Sequence, residues 1–227
     1  MAIYHLRATM ISRSAGRSAT AAAAYRSASH IEDHRTGLSF DYRARGGVDH
    51  VEILAPAQAP EWAQDRAALW NAVEAAETRK NSQVAREIRV ALPAELDHGQ
   101  RVELVRDFCQ RQFVDRGMVA DIALHAPGRE GDDRNHHAHI LLTTREIAAE
   151  GFTTKNRDWN AVEVLEGWRE AWAQDANLAL ELAGHAERID HRTLEAQRIE
   201  ALELAHVAQE HGHEAEALEH TVRAVAL

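Results

Sequence analysis

Four histidines crowd into the stretch from His125 to Arg145, "HAPGREGDDRNHHAHILLTTR", and two of them, His137 and His139, stand one residue apart just before the apolar run Ile140, Leu141, Leu142. On a strand, residues two apart point to the same face. A strand that had only to bury itself would have no use for two imidazoles there. Folding the segment as a hairpin symmetric about Gly131 sets His125 opposite His137, and cross-strand neighbours lie ~5 Å apart. Three imidazoles then converge on one sheet face with one coordination hemisphere left open, as in metal sites that act on a ligand rather than in closed structural ones. His136 faces the other way and is expected to be a satisfied or solvent-facing ring, not a fourth ligand. The competing explanation is compositional, since the chain holds fifteen histidines, several of them near its end.

Three neutral histidines leave a metal's full positive charge free to polarise a phosphoryl oxygen. The nucleophile is then either water, which makes a hydrolase, or a tyrosine, which makes a strand transferase that conserves the ester's energy in a phosphotyrosine. Tyr25 ends the alanine run Ala21–Ala24, with Arg26 beside it and Arg13 and Arg17 upstream. An unperturbed phenol has a pKa of ~10, so it attacks poorly unless a cation stabilises its phenolate. The alternative for Tyr25 is a core anchor on a helix of small residues. Tyr4 falls on the buried face of the first strand, and Tyr42 lies in a turn-rich segment. Glu87 would share the face of the imidazoles and could accept the free N–H of a ligand histidine, or be an ordinary solvated strand carboxylate. Arg89, Asp121, His5 and Arg7 face the same side if their strands join one sheet.

These residues need elements to hold them. "AIYHLRATMIS" alternates, with Tyr4, Leu6, Ala8 and Met10 on one face. "SRSAGRS" is a polar loop, and the alanine run after it is a strong helix former. Short strands and turns follow, then the strand "VEILAP", a helix over residues 60–80 and the strand "SQVAREIRVALP" with Ile88, Val90 and Leu92 inward. Asp97 and Gly117 bracket an amphipathic helix as N-cap and C-cap. "MVADIALHA" sets Ala120, Ile122 and Leu124 against Asp121, Ala123 and His125. A long helix runs from Trp159 to Gly184, and the Ala/Glu/His/Leu-rich end is helix-compatible. Trp159 could stack on a base or fill the core. The expected class is α+β: a central antiparallel sheet with helices packed on one face and the other, open face carrying the metal site.

The totals set limits. A chain of 227 residues allows one domain of ordinary size with an appendage. No apolar stretch approaches the ~20 residues a membrane helix needs, and the first residues lack the pattern of a secretory signal, so no membrane insertion and a cytoplasmic location are expected. The single cysteine, Cys109, excludes an internal disulfide and a thiolate metal cluster. A net charge of −10 argues against a uniformly basic nucleic-acid binder. Arg7, Arg13, Arg17, Arg26, Arg35, Arg43 and Arg45 nevertheless leave room for a local basic surface near the N-terminus.

"MAIYHLRATMISRSAGRSATAAAAYRSA", "REIRVALPAEL", "NHHAHILLTTR", "KNRDWN" and "RIDHRTLEAQ" occur in this order, and together they resemble the MobA/MobL group of plasmid mobilisation relaxases, within the wider HUH (histidine–hydrophobic–histidine) endonucleases. The resemblance runs from Met1 to about Gln197 and implies an HUH relaxase-like fold and a DNA-nicking strand transferase. It implies Tyr25 as nucleophile, His125, His137 and His139 as ligands of a divalent metal ion, Mg²⁺ or Mn²⁺, and Glu87 as a carboxylate near the site. It further implies Arg13, Arg17 and Arg26 on the DNA. The partners it implies are single-stranded DNA at a plasmid transfer origin, accessory relaxosome proteins and a coupling protein. The relaxase region is expected over residues 1–190, followed by an acidic helical tail over 191–227. Many members continue into a long C-terminal region; this chain has a short acidic tail instead, as expected of a compact relaxase or of one domain of a longer protein. The rival readings are a phosphodiesterase that uses water, an HUH replication initiator and a DNA-binding module without catalysis.

Overall fold

The computed structural model describes residues 3–128 and 132–227, so Gly131, the expected tip of the histidine hairpin, lies outside the described residues. The chain divides into two compact units, residues 1–189 and 190–227. In the first, strands β1 (Leu6–Ser12), β4 (Val48–Leu54), β5 (Gln83–Ala91), β6 (Ala120–His125) and β7 (His137–Leu142) form one sheet in the order β1-β5-β7-β6-β4. Every neighbouring pair is antiparallel. Two separate hairpins, β2 (His30–Asp33) with β3 (Leu38–Asp41) and β8 (Arg145–Ala148) with β9 (Gly151–Lys155), complete the strands.

Leu6, Ile88, Val90, Ile122, Leu124, Ala138, Ile140 and Leu142 line one face of the sheet and pack on α3 (His98–Gln112) and α4 (Val162–Leu182). Phe108, Phe113, Trp168 and Trp172 interlock there edge to face, with centroids 5.1–5.4 Å apart, an arrangement aromatic quadrupoles favour. Trp159 and Cys109 belong to this core, so the tryptophan fills space rather than offering a stacking platform. Tyr4 and Ala8 pack against it too.

The opposite face is open over only part of its area. Helices α1 (Ala19–Arg26) and α2 (Arg66–Ala76) close over the rest in a second core with Ile11, Ala85 and Leu141. Met10, expected inside, is therefore half-exposed while Ile11 is fully buried. Ala19, Ala22, Ala23 and Ala24 are all buried, small enough to let α1 approach closely. Ser18 caps α1 by accepting from the Ala21 N–H at 3.1 Å, as an N-cap serine should. The expected helix over 60–80 splits into a 3-10 turn, Glu61–Gln64, and α2. The break falls at Asp65, whose extended backbone frees its carboxylate to cap α2 at the Ala68 N–H, 2.7 Å away.

Asp97 begins α3 with a full capping box, each partner of Asp97 and Gln100 bonding the other's backbone at 2.8 Å. The helix ends at Gln112 rather than running to Gly117. Phe113 and Val114 turn into the core, which tightens the chain into a 3-10 turn, Val114–Arg116, and Gly117 closes that turn at φ 93°, a left-handed backbone that suits glycine. In the second unit, α5 (Leu194–Glu210) and α6 (Glu214–Ala226) are both helical. Thr193 caps α5, and Arg192 bridges Asp190 and Glu200.

Candidate metal centre

The register of β6 against β7 pairs His125 with His137 and Ala123 with His139. The ring centroids of the three histidines lie 4.8–5.2 Å from one another. One ligand atom from each falls within 4.8 Å of the others. Nitrogens bound to one ion at ~2.1 Å sit no more than ~4.2 Å apart, so small rotations bring the three into range. Among the described residues no other group of three His, Cys, Asp or Glu side chains gathers in this way.

Each ring is oriented by one hydrogen bond that leaves its other nitrogen free. His125 Nε2 donates to the Arg26 carbonyl at 2.8 Å, His137 Nδ1 to the Asn135 carbonyl at 3.0 Å and His139 Nδ1 to Glu87 Oε1 at 2.7 Å. These oxygens only accept, so in the neutral rings His125 Nδ1, His137 Nε2 and His139 Nε2 keep lone pairs. Burial pushes the His125 pKa down to about 4, with the positive fields of His139 and Arg45 adding to it, and burial lowers His137 as well. Neutral imidazole is the ligating form. The donor set therefore fits a divalent cation. His136 takes no part; its Nδ1 accepts from Arg101 at 3.1 Å.

Glu87 sits in the row beside the triad, opposite Leu141 on β7 and Thr9 on β1. It is buried rather than solvated. Burial alone would raise its pKa, but hydrogen bonds from His139 and Arg26, with the charge of Arg26, outweigh it and hold the carboxyl at about 2. Arg26 binds both its oxygens, Nη2 to Oε2 at 2.5 Å and Nε to Oε1. Tyr25, in the last turn of α1, is 45% exposed. The next residue, Arg26, supplies the carbonyl that His125 binds, so the tyrosine segment is fastened directly to the imidazole cluster.

Two of the arginines expected on DNA, Arg13 and Arg26, are also paired within the protein. Arg13 donates to the Glu74 carboxylate at 2.6 Å and to the Glu74 and Glu77 carbonyls, which ties the loop before α1 to the end of α2. Arg26 donates to both oxygens of Glu87 and to the Ala22 carbonyl. Arg17 remains exposed. It lines a cleft of about 300 Å³ with Arg7, Thr9, Arg26, Glu87, Arg89 and His139. Arg7, Arg89 and His139 stand in one cross-strand row, and Arg89 donates to His5 Nε2 at 3.2 Å. A second cleft, about 350 Å³, begins at His137 and is also lined by His5 and Arg89. Alternation in "YHLRAT" and "REIRV" put Arg7 and Arg89 on this face but gave no sign that they would flank the clefts. Asp121 shares the face but not the site, because α2 covers it and Arg66 and Trp70 bind its carboxylate at 2.8–3.0 Å.

Residues 17–220 match the model of the MobA/MobL family. A mobilization protein MobL from Acidithiobacillus ferridurans is 41% identical over 91% of this chain. The chain spans 62% of that relative's length. A solved structure described as the molecular basis of vancomycin resistance transfer in Staphylococcus aureus is 37% identical, with a TM-score of 0.78, and the match covers 85% of this chain and all of that one. A metal-bound structure of the conjugative relaxase TrwC in complex with oriT DNA shares the fold at a TM-score of 0.56 and 12% identity, over 98% of each chain. Cluster, sheet and sequence point the same way: the chain belongs to the MobA/MobL family.

Proposed function

We propose that this chain is a relaxase, a metal-dependent strand transferase that nicks and rejoins single-stranded DNA at a plasmid transfer origin through Tyr25. The observation that carries the reading is the join between the two halves of the site: three imidazoles with free lone pairs, and a tyrosine whose own helix end is bonded to one of them. The strand crosses the open part of the sheet. Arg7, Arg17 and Arg89 neutralise its phosphates, which fixes register without reading bases. His125, His137 and His139 would hold the cation, and the hard phosphate oxygens it shares favour Mg²⁺ or Mn²⁺. A divalent cation bound there supplies positive charge that polarises the scissile phosphoryl group.

Glu87 keeps His139 in the tautomer that presents Nε2, and Arg26 keeps Glu87 ionised and aimed. The Tyr25 phenol oxygen attacks phosphorus in line. A bond forms between that oxygen and phosphorus, and the bond from phosphorus to the 3′ oxygen breaks. The phenol proton passes to solvent while the departing oxygen takes one up. The products are a 5′-phosphotyrosyl link and a free 3′-hydroxyl, and the reverse attack rejoins the strand. On this reading the protein works in the cytoplasm with accessory relaxosome proteins and a coupling protein; among the described residues no helix is long and apolar enough to cross a membrane.

The test incubates the protein with Mn²⁺ and a randomised single-stranded DNA pool. The wild type is expected to form a denaturation-resistant adduct that maps to the peptide containing Tyr25, and Tyr25→Phe to form none. Multiple-turnover cleavage by Tyr25→Phe, with no adduct in the wild type, would make water the nucleophile and contradict the proposal.

A further inference from the structure

The loop between β3 and β4 holds the face and edge of Tyr25. The Arg45 guanidinium carbon lies 4.0 Å from the centroid of the Tyr25 ring, and Arg45 Nη1 donates to the Tyr25 carbonyl at 2.6 Å. One side chain thus grips both the ring and the backbone of the same residue. Tyr42, three residues earlier, meets the ring edge-on at 5.2 Å and 88°. The loop that presents them is itself fixed, since the Tyr42 N–H donates to the Ser29 carbonyl and the Arg45 N–H to the Tyr42 carbonyl, at 3.0 and 2.9 Å.

Arg45 differs from three arginines near it. Arg13, Arg26 and Arg43 each pair with a carboxylate. Arg45 is half-buried and pairs with none among the described residues. Its field reaches His125 and His137. An arginine left without a counter-ion while it holds an aromatic ring keeps its positive charge directed at that ring.

We propose that Arg45 is a positioning residue for Tyr25: it holds the phenol at the attack angle and keeps a positive charge beside it, so that strand cleavage and rejoining depend on Arg45 while strand binding does not. This rests on the reading of Tyr25 as the nucleophile. A nucleophile that is nearly half exposed on a helix end has many rotamers open to it, and a misplacement of ~1 Å can lower a rate by roughly 100-fold. The Arg45 grip removes that freedom before the strand arrives.

The experiment measures single-turnover adduct formation at saturating DNA, together with strand affinity, for wild type, Arg45→Ala, Arg45→Lys and Arg43→Ala, using Mn²⁺ and an oligonucleotide selected by the wild type from a randomised single-stranded pool. Arg45→Ala is expected to lower the saturated rate about 100-fold with strand affinity, Mn²⁺ affinity and melting temperature unchanged. Arg45→Lys, which keeps the cation but not the planar fork, is expected to recover part of the rate, and added guanidinium ion to recover part of it in Arg45→Ala. Arg43→Ala, whose partner is Asp41, is expected to match the wild type. An Arg45→Ala protein that forms the adduct at the wild-type saturated rate, or loses only strand affinity, overturns the inference and leaves Tyr25 as nucleophile standing. A wild type that forms no adduct at Tyr25 removes the nucleophile and the inference with it.

Discussion

His139 is the residue at which metal, carboxylate and nucleophile segments meet. Its Nδ1 is bonded to Glu87 and its ring centroid lies 4.8 and 5.2 Å from those of His125 and His137, while Glu87 is clamped by Arg26, the residue after the candidate nucleophile. Geometry of this kind would make the carboxylate part of the proposed metal site without making it a ligand. Exchanging Glu87 for Gln keeps one oxygen but points an amide N–H₂ at a guanidinium or an imidazole N–H, so the ring loses its fixed tautomer. Glu87→Gln is expected to weaken Mn²⁺ binding by ~10–100-fold, read by calorimetric titration, and an unchanged affinity would remove the carboxylate from the site. The tautomers of the three ligand rings were not legible in the sequence. The histidines could be counted, and their shared face follows from a spacing of two, but the oxygens that orient them come from Arg26, Asn135 and Glu87, and only the fold brings those close.

At the scale of elements, the cationic strip and the buried braces look alike in sequence and differ in where their strands and helices go. Arg7 on β1 and Arg89 on β5 face each other across the ladder and stay exposed. Arg13, one residue past β1, is drawn under the end of α2 by Glu74, with side chains 9% and 1% exposed. Removing one partner of a buried ion pair costs about 3–5 kcal/mol, so Arg13→Ala is expected to lower unfolding stability by that order while the folded fraction binds single-stranded DNA normally. Arg89→Ala is expected to do the reverse: near-normal stability in denaturant, weaker binding, and a slope of log affinity against log salt that is shallower by ~0.7. A stable Arg13→Ala with weakened binding would exchange the two roles.

The same contrast shows how far the sequence reaches. The hairpin register was legible, because alternation fixed both faces and the centre of symmetry fixed the pairing. The antiparallel sheet and the α3 cap followed from the same local rules. The cover of half the second face by α1 and α2 was not, because a run of alanines says that a helix can lie close without saying on what. The clamp of Arg45 on Tyr25 had no signal either, being a contact between a helix end and a loop twenty residues on.

The whole molecule carries ten net negative charges, yet the described face around the triad presents Arg7, Arg17 and Arg89. Acidic residues elsewhere, many of them in residues 190–227, set the sign of the total without setting the field at the cleft, which matters within about one Debye length, ~8 Å at physiological salt. An acidic protein with a local cationic strip discriminates against loose coating of duplex DNA while still gripping a strand laid across the strip. The central claim is that three imidazoles and one phenol form a single site. Its most direct test is a crystal structure of the protein soaked with Mn²⁺ and read by anomalous diffraction. The account predicts one strong peak bound by His125, His137 and His139, with the Tyr25 side chain turned to the same side of the sheet. A triad without a peak while manganese binds elsewhere, or a peak there with Tyr25 on the far side of the sheet, would contradict it.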